Sequence, residues 1–205
     1  MKISIVLLAA LLAAILVIGP GEVTDQTPPL STDNGARQSL RPQPPEPPSS
    51  EVTLGDQAPD FAYQTEDNRW QRLHDLLLQG AAVLVFGADP ATLGAIERER
   101  DAMLRLGTVP VALLDMRSGI AWAMARRLGL HYPVIPDSRR VIAAQFNAVE
   151  AGSQRMLPSW FVVDRSGRVR ALRRGALPKQ GFSAVVATAL GLPAADAGVP
   201  AQTRH

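Results

Sequence analysis

The stretch Ala81-Ala82-Val83-Leu84-Val85-Phe86-Gly87-Ala88-Asp89-Pro90 decides the fold of this 205-residue chain. Its apolar run over 81–88 shows no polar alternation, which predicts a strand that is buried on both faces. Asp89 can then cap a helix and Pro90 suits a first helical turn, so we predict a helix over 90–106. A buried strand that leads directly into a helix is typical of an α/β sheet with crossover helices.

The segments that follow complete the predicted sheet. Apolar patterns predict further strands at 109–116 and, with a turn, at 131–137, and helices at 118–129, 138–147 and 178–190. The sequence SWFVVDRSGRVRALRRG (159–175) predicts a β-hairpin around the turn Asp164-Arg165-Ser166-Gly167. We therefore predict an α/β, three-layer domain over 53–192, in which helices flank a mixed central sheet on both faces.

The N-terminal segment has the composition of an export signal. Within residues 1–21, Lys2 precedes an unbroken apolar run that ends at Ile18. This pattern suits an uncleaved membrane anchor or a cleaved signal peptide, and the poor match to a small-residue cleavage site favours the anchor. We expect residues 3–19 to span the inner membrane once. Because Lys2 favours a cytoplasmic N-terminus, the domain is expected to face the periplasm; secretion to the periplasm after cleavage is the alternative.

Two other segments lack the pattern of a folded core. Residues 22–52 are rich in proline and polar residues, most densely in RPQPPEPPSSE (41–51). Prolines favour extended polyproline geometry, so this segment is predicted to be a semi-rigid spacer, with a docking site for a proline-recognising domain as the alternative. Residues 193–205 are predicted to form a disordered tail.

The composition excludes several kinds of chemistry. The chain has no cysteine, so it can form no disulfide, thiolate nucleophile or cysteine-ligated metal site. Its formal charge of +2, from 21 basic and 19 acidic residues, is too small to predict binding to nucleic acid. The histidines His74, His131 and His205 are far apart in sequence. We therefore predict neither a metal site nor a cofactor.

Three local sequences resemble motifs of a known superfamily. LGDQAPDF (54–61) contains the pattern G-x-x-A-P-x-F, the run 83–94 leads from a strand through a turn into a helix, and LPSWFVVDRSG (157–167) is similar to L-P-T-T-F-V-I-D-x-x-G. Together they resemble the thioredoxin-like superfamily, above all the membrane-tethered TlpA/ResA-type thioredoxins and the AhpC/TSA peroxiredoxins. The resemblance covers about residues 53–191 and implies a thioredoxin-like fold.

One position distinguishes these two branches. In peroxiredoxins the residue three before the hairpin phenylalanine is usually an arginine that activates the peroxidatic cysteine. Here the residue three before Phe161 is Pro158, and Arg155 is out of register. Pro158 stands where thioredoxins place the cis-proline beside their active site. The resemblance therefore favours the TlpA/ResA branch.

The reactive cysteines of both branches are missing. Against the C-x-x-C pattern the slot holds Ala91-Thr92-Leu93-Gly94, and against the peroxiredoxin pattern Thr92 falls at the peroxidatic cysteine. A threonine hydroxyl without an adjacent base is a far weaker nucleophile than a thiolate. We therefore predict no catalytic residue, and we expect Thr92 to be a small polar residue of the first helical turn.

A serine triad is the remaining nucleophilic alternative. Ser138, His131 and Asp137 supply the residue types, but neighbours in one turn rarely have triad geometry. Asp137 and Ser138 are more simply interpreted as the cap of the third helix.

The resemblance leaves three hypotheses for function. The first is a redox-inactive module that binds or positions a periplasmic protein through Asp89, Pro90, Thr92, Pro158 and Trp160. The second is a thiol oxidoreductase or peroxiredoxin by family, with a degenerate active site. The third is a structural subunit of an envelope complex. Fold alone does not decide among them.

The hairpin and the start of the last helix are basic. The residues concerned are Arg165, Arg168, Arg170, Arg173, Arg174 and Lys179. We expect a solvated outer face that protects an edge strand. A dock for an acidic partner or for anionic lipid headgroups is the alternative.

Overall fold

The computed structural model describes residues 51–178 and 181–193. In chain order the elements are β1 (Ala62–Gln64), β2 (Trp70–Arg72), α1 (Leu73–Gln79), β3 (Ala81–Phe86), α2 (Pro90–Arg105), β4 (Thr108–Leu114), α3 (Ser118–Leu128), β5 (Val134–Pro136), α4 (Val141–Gln145), β6 (Ser159–Val163), β7 (Val169–Arg174) and α5 (Phe182–Leu190). β3 and α2 are the buried strand and the capped helix that the stretch 81–90 predicts.

β3 is the central strand of a five-stranded mixed sheet with the order β5-β4-β3-β6-β7. It pairs in parallel with β4, where Leu84 is opposite Val111, and antiparallel with β6, where Leu84 is opposite Phe161. β5 extends the parallel side and β7 the antiparallel side. β1 and β2 form a separate antiparallel pair. The predicted α/β fold with a mixed central sheet is confirmed.

The two faces of β3 explain its unbroken apolar sequence. Every residue of β3 is buried. Ala82, Leu84 and Phe86 join the core cluster that contains α1 and α4, whereas Val83 and Val85 join the cluster that contains α2 and α5. A central strand covered on both faces has no position for a polar side chain, so apolar residues fill all of it. The result is the predicted three-layer arrangement.

Aromatic packing dominates the α1/α4 face of the sheet. Phe61, Phe86, Phe146 and Phe161 form one cluster, in which the ring centroids of Phe146 lie 5.3 Å from Phe86 and 5.1 Å from Phe161. The Phe146 and Phe161 rings meet edge to face, the arrangement that the aromatic quadrupole favours. Because Phe146 directly follows α4, this cluster fixes the short helix to the sheet.

Several elements differ from the sequence predictions. The β1–β2 hairpin and α1 were not predicted. α4 begins at Val141 rather than at 138, because Arg140 adopts a left-handed conformation with φ of 55° and breaks the helix there. The helix predicted over 178–190 begins at Phe182.

The basic hairpin is only partly a solvated face. Arg165 and Arg173 are exposed, as expected. Arg174 is not, because its guanidinium donates hydrogen bonds to the carbonyl oxygens of Val52 at 2.6 Å and Phe146 at 3.1 Å. Arg174 therefore fastens the start of the folded domain to α4, a structural role that the charge pattern did not predict. Lys179 lies outside the described residues.

Asp137 anchors α4 from outside the helix. Its residue is only 6% exposed, and Oδ2 accepts a hydrogen bond from the Ala143 N–H at 2.8 Å. Burial raises the pKa of Asp137 above the usual 3.8, although the amides of α4 oppose that shift. The sequence interpretation of Asp137 as a helix cap holds for its side chain, but Arg140 occupies the N-cap position itself.

Asp137→Asn is expected to make the stability less dependent on pH. A carboxyl with a raised pKa in the folded state stabilises the fold below its unfolded pKa, and that contribution is lost as pH rises through the folded pKa. The asparagine carbonyl can still accept from Ala143 without charge. The variant should therefore gain stability over wild type as pH rises from about 3 to neutrality. Urea unfolding across this range measures the gap. Asp101→Asn, at an exposed site on α2, is the control, and a pH-independent gap at Asp137 would contradict the expectation.

Some predictions fall on residues that the structure does not describe. These are the anchor or signal in residues 1–21, nearly all of the linker over 22–52 and nearly all of the tail over 193–205. Among the helices in residues 51–178 and 181–193, none combines the length and apolar character needed to cross a bilayer.

Candidate functional site

The strand-to-helix turn is shaped by Gly87 and Asp89. Gly87 adopts a left-handed conformation with φ of 64°, which glycine accommodates without a Cβ clash. The Asp89 side chain then accepts a hydrogen bond from the Thr92 N–H at 2.7 Å and caps α2. Pro90 occupies the first turn, where its missing N–H costs nothing. The predicted capping of α2 by Asp89 is present.

Pro158 lies directly against this turn. A Cβ added to Gly87 would stand 3.5 Å from both the Cα and the N of Pro158, and 3.6 Å from Cγ of Met156. The pairing of Phe86 with Ser159 holds the end of β3 beside the start of β6 and so fixes this approach. Two sites that are about 70 residues apart in sequence thereby form one surface.

The residues named from the sequence differ in their exposure on that surface. Asp89, Pro90, Ala91 and Pro158 are exposed, Thr92, Gly94 and Trp160 are half-buried, and Leu93 is buried. Leu93 packs in the core cluster on the α2 side of the sheet. It therefore belongs to the core rather than to an accessible site.

The Trp160 side chain is half-buried and packed rather than free in solvent. It pairs with Val85 on one side and with Arg173 on the other, and it packs against the core cluster of α2 and α5. Phe161 faces the opposite cluster, as strand alternation predicts. The neighbouring Ser159 is buried, and its hydroxyl donates to the Leu157 carbonyl at 2.9 Å.

The electrostatics of the turn do not favour base catalysis. Hydrogen bonds from Thr92, by its side chain and then by its backbone N–H, lower the pKa of the Asp89 carboxyl below its usual 3.8. A carboxylate with a lowered pKa is a weak general base. The Asp89 and Thr92 pair thus has the character of a helix cap.

His131, the histidine of the candidate serine triad, forms its contacts with Glu97. His131 Nδ1 lies 2.9 Å from Glu97 Oε1, and Glu97 also accepts the His131 backbone N–H at 2.9 Å. Asp137 accepts from Ala143 instead of orienting His131. The residues Ser138, His131 and Asp137 are therefore not assembled as a triad. Within the described part of the chain, no three histidine, aspartate or glutamate side chains come together as a metal site.

The role of Gly87 was not predicted from the sequence. Its signal was available, because a glycine stood between a buried strand and a helix cap. The reason for a glycine at this position is visible only once Pro158 is placed against it.

The fold and the turn define a thioredoxin-like domain in which the reactive cysteine positions hold other residues. The model of the AhpC/TSA family matches residues 54–172. The chain belongs to the AhpC/TSA family. No curated protein matches the chain.

Solved structures share the fold at low sequence identity. Peroxidoxin BcpB from Mycobacterium tuberculosis superposes with a TM-score of 0.60 at 19% identity, covering 69% of this chain and 97% of that one. A PrxQ mutant from Xylella fastidiosa gives 0.58 at 14% identity, with coverage of 69% and 97%. A putative thiol:disulfide interchange protein DsbE from Chlorobium tepidum gives 0.57 at 21% identity, with coverage of 69% and 100%. The thioredoxin-like resemblance is confirmed, and of its two branches the AhpC/TSA family is the one whose model matches, although Pro158 favoured the TlpA/ResA branch.

Proposed function

We propose that this chain is a redox-inactive thioredoxin-like domain that binds or positions a polypeptide in the periplasm. Residues 3–19 would tether it to the inner membrane. The binding surface would consist of Asp89, Pro90, Thr92, Pro158 and Trp160. The observation that carries the proposal is the close packing of Gly87 against Pro158 in a chain that has no cysteine.

The missing cysteines set the chemistry. Thiol–disulfide exchange requires a thiolate that attacks a sulfur and a second thiol that resolves the mixed disulfide. Peroxide reduction in this family likewise requires a cysteine thiolate as nucleophile. No side chain of this sequence can take either role. The turn after β3 and Pro158 therefore form a surface that carries no thiol for either reaction.

That surface suits an extended polypeptide. Pro158, Pro90 and Ala91 are exposed, and strand pairing holds Ser159 and Trp160, which follow Pro158 in the chain. A rigid support of this kind lowers the entropic cost of binding, because few groups must be ordered. Asp89 adds one exposed negative charge at the rim.

The sequence of the N-terminal region supports the location. A basic residue followed by a long apolar run is the pattern of an export signal. The Pro-rich segment over 41–51 then separates that run from the folded domain in sequence, as a spacer would.

Site-specific photocrosslinking of the full chain in native membranes tests the binding proposal. We expect a crosslinker at Ala91 to capture a defined protein, and a crosslinker at Arg127 to capture none. Both positions are exposed on helices, but Arg127 lies near the C-terminal end of α3. Pro158→Ala should weaken the Ala91 product several-fold. Equal capture from both positions, or a product indifferent to Pro158→Ala, would remove the support for this surface.

An activity assay tests the redox-inactive part. The full chain should show no turnover of peroxide or of insulin disulfides above buffer, and Thr92→Ala should change nothing. Turnover that falls in Thr92→Ala would demonstrate a cysteine-free mechanism and overturn the proposal.

A further inference from the structure

The end of the sheet opposite the Pro158 turn carries four exposed leucines. Leu54 is 67% exposed, Leu78 72%, Leu104 43% and Leu192 39%. Scattered exposed apolar residues are normal on a soluble domain, but a group of them at one end of the fold indicates an interaction surface. We name this end, with Arg105, Arg165 and Arg168, the basal surface.

Local contacts place these leucines at the same end. A Cβ on Gly80 would collide with the Gly107 carbonyl oxygen, so the end of α1 meets the end of α2. Leu78 and Leu104 lie close to these two glycines in sequence. On the other side, Arg168 donates to the Gly55 carbonyl at 3.0 Å, which brings Leu54 to the β6–β7 turn.

A shallow cavity joins the apolar and basic parts of the basal surface. Its volume is about 440 Å³, and its lining includes Leu106, Leu190, Leu192, Arg165 and Arg170. Arg165 also lines the neighbouring cavity against α1. Of the four exposed leucines, Leu192 thus lies in the same cavity as the Arg165 side chain.

The charge of the basal surface is positive. Arg105, Arg165 and Arg168 are exposed, and none of them forms a salt bridge within the described residues. The nearby carboxylate of Asp164 is already occupied by hydrogen bonds from Ser166 and by the guanidinium of Arg170 at 2.5 Å. Asp56, beside Leu54, is an exposed carboxylate at this end that, among the residues described, accepts hydrogen bonds only from Thr53, so three unpaired guanidinium groups stand against one unpaired carboxylate.

We propose that the basal surface docks on an anionic phospholipid bilayer. Exposed leucines can enter the headgroup region while arginines contact phosphate and anionic headgroups, the combination that interfacial binding needs. A guanidinium also pairs with phosphate through two parallel hydrogen bonds. This inference rests on the membrane location in the proposed function, but not on partner binding.

Docking through the basal surface determines how far the Pro158 surface lies from the bilayer. β3 has six residues, so its two ends are roughly 20 Å apart at about 3.3 Å per residue. The basal surface contains the start of β3, whereas Gly87 and Pro158 lie beyond its end. A domain seated on its basal surface therefore presents the Pro158 surface away from the bilayer, toward periplasmic polypeptides.

The cysteine-free sequence allows a direct test, because any introduced cysteine is the only thiol to label. The full chain is reconstituted into phosphatidylcholine vesicles with or without phosphatidylglycerol, and a fluorophore is quenched by brominated acyl chains. We expect a label at Leu78→Cys to be quenched in phosphatidylglycerol vesicles and relieved by high salt. A label at Ser138→Cys, beyond the opposite end of the sheet, should stay unquenched. A label at Leu8→Cys should be quenched in both kinds of vesicle.

Two double variants test whether quenching of the Leu78 label depends on the basal arginines or on any loss of surface charge. Arg105→Gln with Arg165→Gln should reduce the quenching of the Leu78 label several-fold. Arg127→Gln with Arg139→Gln, two exposed arginines outside the basal surface, should leave it unchanged.

The pattern of labels distinguishes the ways in which the inference can fail. An unquenched Leu78 label beside a quenched Leu8 label overturns the docking and leaves the membrane location intact. If neither label is quenched, the membrane location fails as well. If the Leu78 label instead becomes shielded from solvent as the protein concentration rises, the basal surface contacts a second copy of the chain. That result would also overturn the inference.

Discussion

Phe146→Ala is expected to destabilise the domain by about 3–5 kcal/mol. Phe146 is fully buried, and its ring contacts those of Phe61, Phe86 and Phe161 at centroid distances of 6.0, 5.3 and 5.1 Å. Removal of the ring leaves a cavity among three other rings that β3, β6 and the segment before β1 hold in place. Because a domain is typically stable by only about 5–15 kcal/mol, this single change should remove a large part of that margin.

Urea unfolding monitored by tryptophan fluorescence measures this loss. Val141→Ala is the matched control, since Val141 belongs to α4 but is 56% exposed, and it should shift the unfolding free energy by less than about 0.5 kcal/mol. Phe146→Leu should fall between the two, because it keeps part of the buried volume. Equal losses from Phe146→Ala and Val141→Ala would show that α4 as a whole, rather than the aromatic cluster, sets the stability.

The elements that sequence predicted well are those with a strong local signal. β3 was predictable because a short apolar run between glycines is typical of a strand covered on both faces, and α2 because Asp89 and Pro90 mark its start. β1 and β2 were missed because each has three residues, too few for alternation to stand out. The start of α4 was misplaced because the left-handed conformation of Arg140 has no counterpart in residue type.

The candidate site was predictable only through resemblance. Nothing in composition or spacing brings Pro158 to the turn after β3; the β3–β6 pairing does. Arg174 shows the opposite case. Its basic sequence neighbours predicted a solvated arginine. Its partners are backbone carbonyls, which every residue carries, so residue type does not identify them. Long-range contacts to the main chain are the part of a fold that a single sequence hides.

Arg174→Met is expected to cost about 2–4 kcal/mol of stability. Its guanidinium donates to the carbonyls of Val52 and Phe146, and its carbon atom Cζ lies 5.2 Å from the Phe161 ring centroid. Methionine keeps an apolar stem but leaves the two carbonyls without their donor. The free-energy cost exceeds the net contribution of the hydrogen bonds, because these partly buried carbonyl oxygens are also shielded from water that could replace the donor. The ion pair with Glu51 adds little, since Glu51 is largely exposed.

Arg173→Met is the control for this change. Arg173 precedes Arg174 in β7, is exposed and pairs across the strand with Trp160. Removing its charge should shift the unfolding free energy by less than about 0.5 kcal/mol. Proteolysis gives a second readout: Arg174→Met should release the segment at Val52 and expose it to cleavage, whereas Arg173→Met should not. Similar behaviour of the two variants would mean that Arg174 acts as a surface charge after all.

The effects of Arg174→Met and Phe146→Ala should not add. Arg174 binds the carbonyl of Phe146 and lies over Phe161, which is itself a neighbour of the Phe146 ring. Once α4 has lost the ring that fixes it, the Phe146 carbonyl can turn toward water, and the loss of the guanidinium then costs less. A double-mutant cycle should give a coupling of about 0.5–3 kcal/mol, with the double variant more stable than the sum predicts. Strict additivity would instead mean that Arg174 stabilises the Val52 segment alone, independently of α4.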